Sequence, residues 1–239
     1  MYIKQIWKEI RVLVPVYIIW YGVFLFFMTP LTLEPGVSCM VDALLAGTYT
    51  NEKMLFVMPI ILMFNYGIYY RRKGANWRLR YRSDLEMLGR CLVPTGIGML
   101  CMFFIQIGLI GIWGRIMNKD ICNWASPYSW FNAKYGGTLQ VSWIKVAVTL
   151  LILQGVFLLT VSLLEYTWLI KGGKFWVLIV AMYVISEIEY HFPMIYLICH
   201  WSRFRVGMIL GMSGWTWTII GVLIIGGISV ICTKVVKRK

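Results

Sequence analysis

The residues best suited to chemistry lie near position 190. Glu187, Glu189 and His191 follow an apolar run, and His200 comes shortly after them. Carboxylates and imidazoles ligate metals or act as general bases, and ionisable groups in apolar segments are often functional. The E-x-E-x-H spacing differs from the H-E-x-x-H metalloprotease pattern, and residues two apart do not share a helix face. We predict no metal site and no catalytic residue here.

Structural and transport roles fit these residues better. Hydrogen bonds to Arg203 and Arg205 would stabilise a turn near a membrane surface. A role of the acidic and histidine side chains in gating or in contact with a transported molecule is the alternative. An intramembrane hydrolase that uses Glu187 and His191 is a third hypothesis.

Two other signals of chemistry are weak. The stretch KGGKF, from Lys171, has neither the length nor the hydroxyl of a phosphate-binding loop. Any nucleotide chemistry therefore has to come from another chain. The six cysteines form no C-x-x-C pair and are interpreted as small core residues. It stays open whether the three on the predicted outer side form disulfides: Cys39, Cys122 and Cys199.

The composition predicts an integral membrane protein. Of the 239 residues, 60% are hydrophobic and 14% charged, whereas soluble domains are about 45–50% apolar. The net charge of +13 is attributed to topology signals and lipid contact. A nucleic-acid partner is not expected, because no basic soluble module is left over to bind one.

Six apolar segments predict an all-α fold with six transmembrane helices. Pro193 lacks a backbone donor and is expected to break the fifth segment near His191. Residues 187–212 are therefore predicted to form a re-entrant hairpin between helices five and six. The predicted spans are 12–28, 54–70, 91–113, 146–164, one beginning at 175, and 215–232.

The distribution of basic residues predicts the orientation. With the N-terminus inside, sixteen of the 23 Lys and Arg residues fall on the cytoplasmic side. Both termini are thus expected in the cytoplasm. Residues 15–239 form one transmembrane domain in this interpretation. The longest outer loop, 115–143, carries aromatic residues that are expected at the membrane interface rather than in a globular core.

The inner loop at residues 71–90 contains seven basic residues. Asn76 is a candidate N-cap, and the helical spacing after it predicts a short helix with one apolar face and pairs of opposite charge at i, i+4. The loop either serves topology and lipid contact alone or docks onto a cytoplasmic partner. The residues concerned are Trp77, Arg78, Arg80, Tyr81, Arg82, Asp84, Leu85, Glu86 and Leu88.

The N-terminal residues 1–14 predict an amphipathic helix. Its apolar face holds Ile3, Ile6, Trp7 and Ile10, while Lys4, Lys8 and Arg11 lie elsewhere, and Pro15 follows. We expect this helix to lie flat on the inner leaflet. The alternative is that it simply extends the first transmembrane helix.

The whole arrangement resembles the permease subunits of type-2 ABC transporters, and RLRYRSDLEML looks like the basic inner loop of small bacterial members. The resemblance implies that residues 77–88 form a coupling helix seated on an ATPase subunit and that residues 3–11 form an interface helix. It also implies that the 187–212 hairpin lies near an outer gate, with Glu187, Glu189, His191, Pro193, His200 and Arg203 as its residues.

The same resemblance implies the function. A chain of this kind would be the permease subunit of an exporter for peptide-like or amphipathic substrates in the bacterial cytoplasmic membrane. It would bind no cofactor directly, because ATP and Mg²⁺ belong to the ATPase partner. A second permease copy or a paralogue would complete the path, in contact with membrane lipids. A stand-alone membrane protein, acting in immunity or lipid organisation, is the alternative.

Overall fold

The computed structural model describes residues 38–49, 58–73, 83–191 and 206–235, with seven separate helical positions between Trp7 and Phe26. These residues form helices and no strand, which confirms the all-α prediction. The described elements are α1 (Met40–Tyr49), α2 (Met58–Lys73), α3 (Asp84–Ile116), α4 (Trp130–Tyr135), α5 (Trp143–Ile170), α6 (Phe175–His191), α7 (Val206–Leu210), a 3₁₀ turn (Met212–Trp215) and α8 (Thr216–Val235).

Two of the described helices, α3 and α5, are long and apolar enough to cross a membrane. With 33 residues, α3 is about 50 Å long, against a hydrocarbon core of about 30 Å. Shorter apolar stretches lie on α6 and α8, at Phe175–Ile185 and Thr218–Cys232. The full set of six spans, the position of both termini and the re-entrant hairpin remain predictions.

The outward surface of these helices is apolar. Phe104 on α3 is 63% exposed and Leu223 on α8 is 68% exposed, and many other large aliphatic side chains also point outward. Soluble monomers rarely expose contiguous apolar patches of more than a few hundred Å². The exposed apolar surface therefore agrees with a lipid environment.

The first turn of α3 carries the last part of the predicted coupling segment. The Ser83 side chain caps the helix by accepting a hydrogen bond from the backbone N–H of Glu86 at 3.1 Å. Arg90 pairs with Glu86 at 2.6 Å, as the i, i+4 spacing predicted. Asp84 and Leu88 are buried, whereas Leu85 is exposed. Trp77, Arg78, Arg80, Tyr81 and Arg82 lie outside the described residues.

The helices pack around two apolar cores. We call the end where α2 and α5 finish and α3 and α6 begin the basic end, because Arg71, Arg90 and Lys171 lie there. The core nearer this end joins α2, α3, α5 and α6. The other core, at the opposite end, joins α1, the loop after α3, and parts of α3, α5 and α7.

The loop between α3 and α5 differs from expectation. Trp124 and Phe131 are buried and stack with ring centroids 4.1 Å apart, so these aromatic residues form a core instead of lying at an interface. The Asp42 carboxylate makes this possible, since it accepts a hydrogen bond from Trp124 Nε1 at 2.6 Å. A buried tryptophan needs such a partner for its N–H group.

We predict that a large side chain on α3 destabilises the protein at one glycine position and not at another. A Cβ at Gly98 would lie 3.1 Å from the Phe64 ring on α2, whereas none of the described side chains lies within 4 Å of that position at Gly108. Gly98→Leu should lower the free energy of unfolding by about 1–3 kcal/mol through overpacking. Gly108→Leu should change it by less than about 0.5 kcal/mol. Thermal unfolding in detergent micelles, followed by tryptophan fluorescence, measures both, and equal losses would contradict the packing.

Candidate functional site

Five buried polar side chains meet between α2, α3 and α5, and we call this cluster the polar lock. Asn65 comes from α2, Thr95 from α3, and Ser162, Glu165 and Tyr166 from α5. Each is no more than 1% exposed. In an apolar interior such groups must satisfy one another, because no water replaces a missing hydrogen bond.

Asn65 is the centre of the polar lock. Its Nδ2 donates to Ser162 Oγ and to Glu165 Oε2, both at 2.8 Å. Its Oδ1 accepts from Thr95 Oγ1 at 2.8 Å and from Tyr166 OH at 3.1 Å. An amide has two donor hydrogens and two acceptor lone pairs, so Asn65 uses its full hydrogen-bonding capacity.

The polar lock contacts α3 close to the point where α3 lacks one of its backbone hydrogen bonds. Pro94 lies inside α3 and has no N–H, so the carbonyl four residues earlier has no helical donor. Thr95 Oγ1 lies 3.1 Å from the Cys91 carbonyl and shares its single proton between this oxygen and Asn65 Oδ1, and a bond to the carbonyl four residues earlier often bends helices. Bonds from α2 and α5 therefore support α3 at its locally weakest turn.

One carboxyl oxygen of Glu165 makes no hydrogen bond to the described residues. Oε2 accepts the Asn65 bond, but Oε1 is buried and makes no hydrogen bond with the part of the chain that the structure describes. Ionisable residues within apolar helices are expensive and commonly functional. Glu165 Oε1 is thus the one oxygen of the Glu165 carboxyl group that the described part of the polar lock does not satisfy.

Further contacts join the same three helices at the basic end. Lys171, in the turn after α5, pairs with Asp84 of α3 at 3.2 Å, and both side chains are largely buried. Tyr69 of α2 donates its hydroxyl to the Leu169 carbonyl of α5 at 2.7 Å. These bonds and the polar lock therefore connect α2, α3 and α5 at two different positions along the helices.

A groove of about 780 Å³ opens between α3, α5 and α8. Its walls are almost entirely apolar, and they include Gly155 of α5 and Gly226 of α8. Gln154 also lines the groove and is 5% exposed, and no hydrogen bond to its Oε1 forms within the described residues. A concave apolar site of this size with few polar groups is typical of sites for small amphipathic molecules.

The acidic and histidine cluster predicted near position 190 is only partly described. Glu187 and His191 lie on the same face of α6, 3.6 Å apart and both exposed, where they form an ion pair when the histidine is protonated. The Glu189 side chain, Pro193, His200 and Arg203 lie outside the description. The described residues contain no group of three or more potential metal ligands.

The predicted interface helix is described at few positions. Trp7 and Arg11 are helical, and the Trp7 side chain is 65% exposed. Ile3, Ile6 and Ile10 lie outside the described positions. The orientation of this helix relative to a leaflet remains a prediction.

Sequence reasoning missed the polar lock. The predicted span 146–164 stops just before Glu165, but Glu165 lies inside α5, which continues to Ile170. Asn65 and Thr95 were included in apolar spans without comment. The available signal was the presence of polar residues inside three apolar segments, although the sequence does not show that they meet.

Comparisons of the chain with protein families, with curated proteins and with solved structures found no match.

We predict energetic coupling within the polar lock. Asn65→Leu should lower the free energy of unfolding by about 3 kcal/mol, because it leaves several buried groups without partners, and Glu165→Leu by about 1 kcal/mol. The double variant should lose at least about 1 kcal/mol less than the sum of the two single losses. Chemical unfolding in micelles gives all three values.

Thr149→Val is the matched control for the single and double variants of Asn65 and Glu165. Among the described residues the Thr149 hydroxyl bonds only to the Lys145 carbonyl of its own helix, so its loss should cost less than about 1 kcal/mol. Strictly additive losses for Asn65 and Glu165 would show that the polar lock does not act as a unit.

Proposed function

We propose that this chain is the permease subunit of an ATP-driven exporter in the bacterial cytoplasmic membrane, and that it moves a peptide-like or amphipathic substrate. A separate ATPase subunit binds ATP and Mg²⁺ and supplies the energy. A second permease copy or a paralogue completes the path.

The observation that carries the proposal is the bonding of α2, α3 and α5 into one unit next to the basic loop. Residues 74–82 connect α2 to α3 in the sequence. The Asp84–Lys171 pair and the polar lock join both helices to α5. A partner that pushes on this loop would therefore move three helices together.

A joint movement of these three helices would change the shape of the groove. Two of its walls, α3 and α5, belong to the bonded unit, and α8 forms the third. Tilting the unit relative to α8 changes the width of the groove. An apolar groove of this size suits a substrate that is mostly apolar.

Partner binding is tested by charge reversal in the loop. The double variant Arg80→Glu/Arg82→Glu should reduce co-purification of an ATPase in mild detergent at least about tenfold, because a docking surface of matched charge then becomes repulsive. Lys145→Glu, exposed at the opposite end of α5, is the control and should leave co-purification unchanged.

The proposal would be refuted if no ATPase co-purified with the unaltered protein and the loop variant retained full export activity. Activity of the chain expressed without any ATPase would instead support a stand-alone membrane protein.

The groove is tested by filling it. None of the described side chains lies within 4 Å of a Cβ at Gly155, so Gly155→Leu should fit without distorting the helices and should occupy part of the groove. Export should fall at least about tenfold while ATPase co-purification stays normal. Gly108→Leu, away from the groove, should leave both unchanged. Unaltered export in Gly155→Leu would exclude the groove as the substrate path.

A further inference from the structure

Cys39 and Cys122 lie side by side at the opposite end of the helices, although 82 residues separate them in the sequence. Two backbone bonds align their segments: Met40 N–H donates to the Asp120 carbonyl at 2.9 Å, and Val41 N–H donates to the Ile121 carbonyl at 3.1 Å. The start of α1 and the loop after α3 are therefore paired along their backbones.

The buried Asp42 carboxylate holds this pairing in place. One oxygen accepts the Cys39 backbone N–H at 2.8 Å, which completes the cap of α1. The other accepts Trp124 Nε1 at 2.6 Å, and so fixes the loop two residues beyond Cys122. A single side chain thus positions both cysteine-bearing segments.

The two thiols are hydrogen-bonded to each other and both are free. This bond lowers the pKa of Cys122 to about 7 and raises the pKa of Cys39 above its usual range. Cys122 is therefore the more readily deprotonated of the two thiols, and the thiolate is the form that attacks a disulfide.

We propose that Cys39 and Cys122 form a reversible disulfide that links the start of α1 to the loop between α3 and α4. Disulfides require Cα atoms about 4.4–6.8 Å apart, and paired backbone segments with contacting thiols suit this geometry. The inference does not depend on the proposed transport function.

The reaction is an exchange with the disulfide of a thiol oxidoreductase or of oxidised glutathione. The Cys122 thiolate attacks that disulfide, forms a mixed disulfide and releases one thiolate. Cys39 then loses its proton, attacks the Cys122 sulfur and releases the second thiolate. Two protein thiols are oxidised to one disulfide, and the reagent disulfide is reduced to two thiols.

The positions of the cysteines permit a direct test. Cys39 is the only cysteine before loop 74–82, and the other five follow it. A site for a sequence-specific protease inserted after Gly74 lets the chain be cut between them in isolated membranes. After mild oxidation with oxidised glutathione, the cut protein should run as one band on a non-reducing gel and as two fragments after reduction.

Substitutions identify the second cysteine. Cys122→Ser should reduce the joined band at least about tenfold, whereas Cys101→Ser and Cys199→Ser should leave it unchanged. Two fragments from the oxidised parent, or a joined band that persists in Cys122→Ser, would overturn the proposal. The unfolding midpoint of each variant under reducing conditions, measured by tryptophan fluorescence, should match that of the reduced parent, which excludes misfolding as the cause of a lost band.

Discussion

The structure depends on one constraint: polar groups buried among apolar helices must bind one another. Asn65 meets this constraint completely, because its amide makes four hydrogen bonds to side chains on α3 and α5. Losing any partner would leave a buried donor or acceptor without a bond, which costs about 1–3 kcal/mol. The relative positions of α2, α3 and α5 are therefore restricted far more tightly than apolar contacts alone would require.

Different kinds of contact stabilise the two ends of the molecule. At the basic end, bonds between helices dominate, through the Asp84–Lys171 pair and Tyr69. At the opposite end, a loop folds over the helices and buries its own aromatic rings, with Asp42 as the polar anchor. Each buried polar atom in these contacts has a specific partner, which gives a defined structure instead of a non-specific apolar collapse.

The polar lock and the groove lie on different faces of the same two helices, α3 and α5. One face of this helix pair carries the polar lock, and another face lines the groove toward α8. Gly155 leaves the groove wall without bulk. A firmly bonded pair of helices beside an open apolar groove suits a protein that must move one wall without unfolding it.

The pattern of residues along the chain was enough to predict the helical class, apolar helices long enough to cross a membrane at α3 and α5, and the Glu86–Arg90 pair. Helix formation and i, i+4 pairing depend on neighbours within one segment. The extent of α3 was underestimated, because its first turns are polar and resemble a loop, whereas the Ser83 cap and the buried Asp84 show that the helix starts there. The six-span topology stays a prediction, and residues 77–82 of the coupling segment and 192–205 of the outer hairpin lie outside the described residues.

Only the tertiary structure decided which distant residues meet. Asn65 and Glu165 are separated by 100 positions, and nothing in the local pattern of either segment names its partner. The same holds for Cys39 with Cys122 and for Trp124 with Asp42. Sequence periodicity determines which face of a helix is apolar, but the rotation and depth at which helices pack are set by many weak contacts acting together, and those contacts exist only in the folded chain.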